Sequence, residues 1–202
     1  MRFPLVVSLV TLGTVASADR LIDIPTARKI PYEDYRYEFR AQPFVGGAFE
    51  QYLGIGIGKS FELDLRGVEQ QGEKQVGTFD FAYDFIAAIP GVSPGISFGV
   101  QDAQNQTDDG RRFYAVSTFR EPLQVINESV KSDITVGFQV GRITSPFLGF
   151  ELPFSRQIFF VAEHSGYRIS AGLEIRPASN VVIRYVERGN QTLLSLSVSS
   201  RF

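Results

Sequence analysis

The sequence predicts an all-β protein: an antiparallel transmembrane β-barrel of about 12 strands, with 8–10 strands or a soluble β-sandwich as the alternatives. Three observations lead there. From Tyr35 onward, apolar and polar residues alternate with period two in segment after segment. No segment has a helical period of useful length, and none in this region approaches the roughly 20 apolar residues of a spanning helix. The chain stops on such an alternating segment: Leu194, Leu196, Val198, Ser200 and Phe202 oppose Leu193, Ser195, Ser197, Ser199 and Arg201.

The N-terminus has the marks of export. Met1-Arg2 is a short positive region, Leu5 to Val15 is apolar apart from Ser, Thr and Gly, and Ala16-Ser17-Ala18 is a small-x-small cleavage site. Residues 1–18 are therefore expected to be a signal peptide, 19–34 a leader broken by Pro25 and Pro31, and 35–202 the barrel. The alternating segments then follow in order. Tyr35–Ala41 and Gln51–Lys59 come first, the latter with Gly54, Gly56 and Gly58 on one face. Lys59-Ser60 turns into Phe61–Arg66, and a polar loop from Glu69 to Gln75 leads to Phe79–Phe85. Ile86 to Pro94 connects to Ile96–Gln101, and the polar loop Asp102–Arg111 leads to Phe113–Arg120. Glu121 to Lys131 is expected to be a connection. Ile134–Gly141, Leu148–Phe154, Ile158–Glu163, Tyr167–Arg176, Val181–Val186 and the last segment complete the set. With both termini in the periplasm, the Asp102–Arg111 loop faces outside and Lys59-Ser60 faces inside.

Composition narrows the function. The formal net charge is −2, so there is no basic excess for nucleic acid. The chain has no Cys, which excludes a disulfide framework, a thiolate metal site and a lipoprotein anchor. Phe (18) and Tyr (8) would have to form the interfacial aromatic girdles, because Trp is absent.

The polar faces carry mixed charge. The expected lumen-facing residues are Arg36, Glu38, Arg40, Glu62, Asp64, Arg66, Asp80, Asp84, Arg120, Glu163, Arg168, Glu174, Arg176 and Arg184, with Glu151 and Arg201 beside them. Both signs together fit a salt-bridged, filled interior or a narrow polar pore. Catalysis has little to stand on. The one histidine, His164, sits between Glu163 and Ser165. Adjacent strand residues face opposite ways, so His164 and Ser165 do not form a hydrolase pair. No His pair or Cys offers metal ligands, and Asp108-Asp109 reads as a solvated loop. No cofactor is expected. The sequons at Asn105, Asn127 and Asn190 fit a frequency artefact if the chain is bacterial.

The chain's ending at Phe202 resembles the closing strand of outer-membrane β-barrels, and that resemblance implies Phe202 as the assembly signal. The leader Leu21-Ile22-Asp23-Ile24-Pro25-Thr26-Ala27-Arg28 resembles the start of the YjbH-type outer-membrane proteins, which open with a similar apolar-x-x-Pro-Thr-Ala-Arg stretch. Gly99-Val100-Gln101-Asp102 and Ala162-Glu163-His164 are similar in kind to later pieces of that family. This chain departs in lacking a lipobox Cys and in its shortness. The resemblance implies Pro25, Thr26, Ala27 and Arg28 as the motif and a non-enzymatic role in exopolysaccharide production or export. It also implies residence in the cell outer membrane, with lipid, the barrel assembly machinery and polysaccharide-export proteins as partners. Small-solute passage is the related expectation. A lipid-modifying barrel enzyme and a secreted carbohydrate-binding β-sandwich are the alternatives.

Overall fold

The structure is a computed structural model, and it describes residues 20–43, 49–69 and 76–202. The expected signal peptide lies outside the described residues, as does most of the Glu69–Gln75 loop.

Twelve strands form one sheet, and β1 pairs with β12 to close it. They are β1 (Asp34–Ala41), β2 (Phe49–Ile57), β3 (Phe61–Glu69), β4 (Val76–Ile86), β5 (Gly95–Gln101) and β6 (Arg112–Val125). Then come β7 (Glu128–Gly141), β8 (Ser145–Pro153), β9 (Ile158–His164), β10 (Ile169–Ala178), β11 (Val181–Arg188) and β12 (Gln191–Arg201). Every strand is antiparallel to its sequence neighbours, and no helix occurs among the described residues. A single closed sheet overturns the β-sandwich alternative, which needs two. It also removes every edge strand except at the rims.

The period-two pattern sorts the residues as expected. On β12, Leu193, Ser195, Ser197 and Ser199 are buried, while Leu194, Leu196 and Val198 point outward and stay exposed. The same inversion holds around the wall: Leu65, Phe81, Phe98, Phe138, Leu148 and Leu173 are exposed, while Glu62, Asp80 and Glu174 are buried. A protein in water rarely exposes apolar surface over its whole girth. Charged inside and greasy outside is the arrangement of a barrel whose solvent is lipid. Aromatic rings cluster near the end that carries the termini, with Tyr35 against Phe202 (5.1 Å between centroids) and Phe61 against Tyr83 (5.1 Å).

Several boundaries differ from the sequence reading. Glu121 to Lys131 is not a connection: β6 and β7 run on as a ladder to Val125↔Glu128. Ile126 and Asn127, both at positive φ (49° and 63°), make the two-residue turn. Such a turn matches the strand twist, and Asn tolerates it. The pattern hid this because Pro122 reads as a strand breaker and Glu121, Glu128 and Ser132 interrupt the run of Leu123, Val125 and Val130 on the outer face. Ile86 belongs to β4, Phe154 lies just past β8, and Gly58 (φ 58°) forms the β2–β3 turn instead of facing the lumen.

The sequence left the leader's place open. Residues 20–33 thread the lumen of the barrel. Leu21, Ile22, Ile24, Ala27 and Ile30 are all almost fully buried. Four of them share one apolar cluster with the inward-facing Val116, Phe147, Val161, Val186 and Leu193. Eight strands enclose room for side chains alone, and about 16 leave a water channel. At twelve, the interior has space that wall side chains do not fill, and a segment of backbone fills it.

Candidate functional site

The site is the contact between the leader and the wall. The chain enters the lumen beside the β2–β3 turn. There the Ile30 N–H donates to Glu62 (2.7 Å), and Gly54 and Gly56 leave space for it. A Cβ on Gly56 would overlap the Pro31 carbonyl oxygen and lie 2.5 Å from that of Ile30. Small inward residues were expected to make room in the lumen, and what they make room for is the leader's own backbone.

Further along, the Ala27 N–H donates to Thr118 Oγ1 (2.8 Å). The leader then turns back on itself, with the Leu21 N–H bonded to the Ile24 carbonyl (3.1 Å) and a bridge from Arg20 to Pro25. This turn aims consecutive N–H groups at one carboxylate. Glu163 accepts from Ile22 (2.9 Å), Asp23 (3.0 Å) and Ile24 (3.2 Å). Successive backbone donors converging on one anion form a nest, which replaces the water the carboxylate has lost. On the other side, Arg40 donates to the Ile22 carbonyl (2.7 Å).

The charges are tied into a network through the leader. Arg120 meets Asp133 (3.0 Å), Asp133 meets Arg28 (2.6 Å), and Arg28 meets Glu151 (3.3 Å). Glu151 meets Arg176 (2.8 Å), which meets Glu174 (2.5 Å), which meets Arg184 (2.5 Å). Arg184 reaches Glu38 (3.8 Å), Glu38 holds Arg40 (2.8 Å), and Arg40 and Arg188 share Asp23 (3.2 and 3.3 Å). A second cluster joins Arg20 to Asp80 and Asp64, with Arg36 3.7 Å from Asp64. Alternating signs at these spacings hold ionised groups in a buried space, and removing one member leaves its partner uncompensated. Asp23 and Arg28 are leader residues, so the network couples the leader to the wall.

The expected lumen residues fall as follows. Arg36, Glu38, Arg40, Glu62, Asp64, Asp80, Glu163, Glu174 and Arg184 are buried inside. Asp84, Arg120 and Arg176 are inward and half-buried, and so is Arg66 near the loop end. Arg168 lies in the β9–β10 loop over the Tyr167 ring (5.3 Å). Arg201 is at the rim, exposed and paired with Glu33 (3.0 Å). Of the leader motif, Pro25, Thr26, Ala27 and Arg28 are all buried. Sequence reasoning missed the leader's part, along with Arg20, Asp23, Asp133 and Thr118. The available signal was the leader's own composition: Leu21, Ile22, Ile24, Ala27 and Ile30 are too apolar for an exposed linker.

His164 points outward and its Nδ1 accepts the Gly166 N–H (3.1 Å). Glu163 points inward to the leader, and Ser165 is buried and bonded to the Arg168 carbonyl (3.3 Å). The three adjacent side chains do not converge on one point.

Away from the termini, the lumen opens into a cavity of about 520 Å3 between the loops. Beside it, the β5–β6 loop is organised by Asp102. Burial pushes its carboxyl up, but the Gln106 N–H (2.8 Å), Thr78 hydroxyl (2.7 Å), and Thr107 hydroxyl (2.7 Å) and N–H (2.8 Å) outweigh that and hold it below its ordinary value.

A closed antiparallel barrel with a greasy exterior and a lumen filled by its own N-terminal segment belongs to the class of plugged membrane barrels. No family model and no curated protein matches the chain. Among solved structures, a KdgM porin in complex with disordered oligogalacturonate has a similar fold. It matches with a TM-score of 0.49 at 14% identity, over 84% of this chain and 98% of that one.

Proposed function

We propose that this chain is a non-enzymatic outer-membrane barrel that passes small solutes, or assists exopolysaccharide export, through a lumen gated by its own leader. One observation carries the reading: the lumen is occupied by a chain segment held by hydrogen bonds and ion pairs, not by covalent continuity of the wall. A segment so held can leave without breaking the barrel, whose strands keep all their ladder bonds. The resemblance of the leader motif to the YjbH-type proteins supports the polysaccharide side of the proposal, and the cavity at the loop end supports solute entry.

The test is conductance in a planar lipid bilayer. The intact protein should show rare, brief openings, and a variant lacking residues 20–30 should conduct steadily. Outer-membrane residence is checked alongside by fractionation and by a mass shift between unboiled and boiled samples in SDS. Two silent proteins, both folded and both in the outer membrane, would refute passage and leave the barrel as a scaffold.

A further inference from the structure

The cavity at the loop end has a chemistry that the leader contacts do not use up. Arginines line it from five elements: Arg20 from the leader, Arg40 from β1, Arg66 from β3, Arg112 from β6 and Arg188 from β11; a sixth, Arg168, comes from the β9–β10 loop. Three of these guanidiniums gather on one ring, with Arg20, Arg40 and Arg66 at 4.5, 4.7 and 5.4 Å from the centre of Tyr52. Arg112 and Arg188 are buried, yet their Nε atoms and that of Arg66 have no hydrogen-bond acceptor among the described residues. A buried donor without an acceptor is costly, and the guanidiniums that carry these three all line the cavity. Gln42, Thr107 and Gln191 add neutral hydrogen-bonding groups between the charges. The volume is that of a small-molecule pocket.

The floor of the cavity is the leader. Asp23 sits there, partly exposed, with one oxygen 3.2 Å from Arg40 and 3.3 Å from Arg188. An incoming carboxylate would present these arginines with the same group that Asp23 does.

We propose that this cavity binds a carboxylate-bearing, hydroxyl-rich solute, and that the bound carboxylate takes Arg40 and Arg188 from Asp23 and so loosens the leader. The proposal rests on the barrel reading above but not on passage. The walls also carry Glu50, Glu69, Asp108 and Asp109, which with Asp23 set five carboxylates against six guanidiniums, so the positive surplus is small. Binding is therefore weak and falls with added salt, as screened charge–charge attraction does.

The test uses the whole protein in detergent, with glucuronate as the probe and glucose as its uncharged counterpart. Calorimetry should show glucuronate binding and no glucose binding. Replacing Arg66 and Arg168 together by Ala should weaken glucuronate binding about tenfold or more. Asp23→Asn should tighten it, because the internal competitor is gone; a merely structural Asp23 would not do so. The chain has no cysteine, so Ile22→Cys gives a single thiol in the buried leader. Glucuronate should speed its reaction with a maleimide, and glucose should not. Equal binding of both sugars, or none, overturns the site; glucuronate binding with unchanged thiol reactivity overturns the coupling. A mass shift on boiling checks that each variant is folded. Conductance enters none of these readouts, so a silent bilayer would sink passage and leave this inference standing.

Discussion

Replacing Glu163 with Ala should free the leader while leaving the barrel closed. The carboxylate accepts three backbone N–H groups at 2.9–3.2 Å, those of Ile22 and Ile24 buried and that of Asp23 partly so. Each N–H left without a partner costs about 1–3 kcal/mol. Two effects reduce the sum. Water can reach part of the site from the cavity, and removing a buried carboxylate relieves its own desolvation cost. The net loss is therefore about 3–6 kcal/mol, which is about two to four powers of ten in the equilibrium for leader release. Hydrogen exchange read by mass spectrometry in detergent measures this directly. The amides of Ile22 to Ile24 should exchange faster by that factor, while those of the β11–β12 hairpin should not change. Glu163→Gln keeps the size and one acceptor oxygen, so its effect should be smaller, about 1–3 kcal/mol. Wild-type protection of the leader amides in a folded Glu163→Ala barrel would refute the nest as the latch. Loss of protection in leader and strands together would show that leader and wall unfold as one unit.

Three further outcomes follow from the same geometry. Arg28→Ala takes one cationic partner from each of two buried carboxylates, Asp133, which keeps Arg120, and Glu151, which keeps Arg176, and should cost about 1–3 kcal/mol, read as a lower temperature for the mass shift in SDS. Gly56→Ala puts a methyl group onto the Pro31 carbonyl, where backbone meets backbone and neither can rotate away. The leader should then be cut by protease under conditions that leave the wild-type leader intact. The third outcome concerns pH. The Asp102 carboxyl is held below its ordinary 3.8, so its contribution is fully present above that value and is lost as pH falls through the lower folded value. The Gln106 and Thr107 amides should lose exchange protection only in that acid window, and Asp102→Asn should expose them at neutral pH.

The sequence by itself determined the wall. Period-two alternation is a local property, because successive strand residues must face opposite sides. Leu194, Leu196 and Val198 against Ser195, Ser197 and Ser199 therefore read correctly without any partner in view. The same logic placed Glu38, Glu62, Asp80, Glu174 and Arg184 on the inner face. It failed at Glu121–Lys131, where Pro122 reads as a strand breaker and Glu121, Glu128 and Ser132 interrupt the run of Leu123, Val125 and Val130 on the outer face. It was silent on the leader for a different reason. Leu21-Ile22-Asp23-Ile24-Pro25 has no period to read, and its fate depends on a cavity that exists only once twelve strands have closed. Glu163 lies about 140 residues from the amides it receives. No local pattern encodes that meeting. The tertiary structure decided it, because a ring of twelve strands encloses more space than its side chains fill, and the nearest polypeptide with an apolar face and free N–H groups is the leader itself.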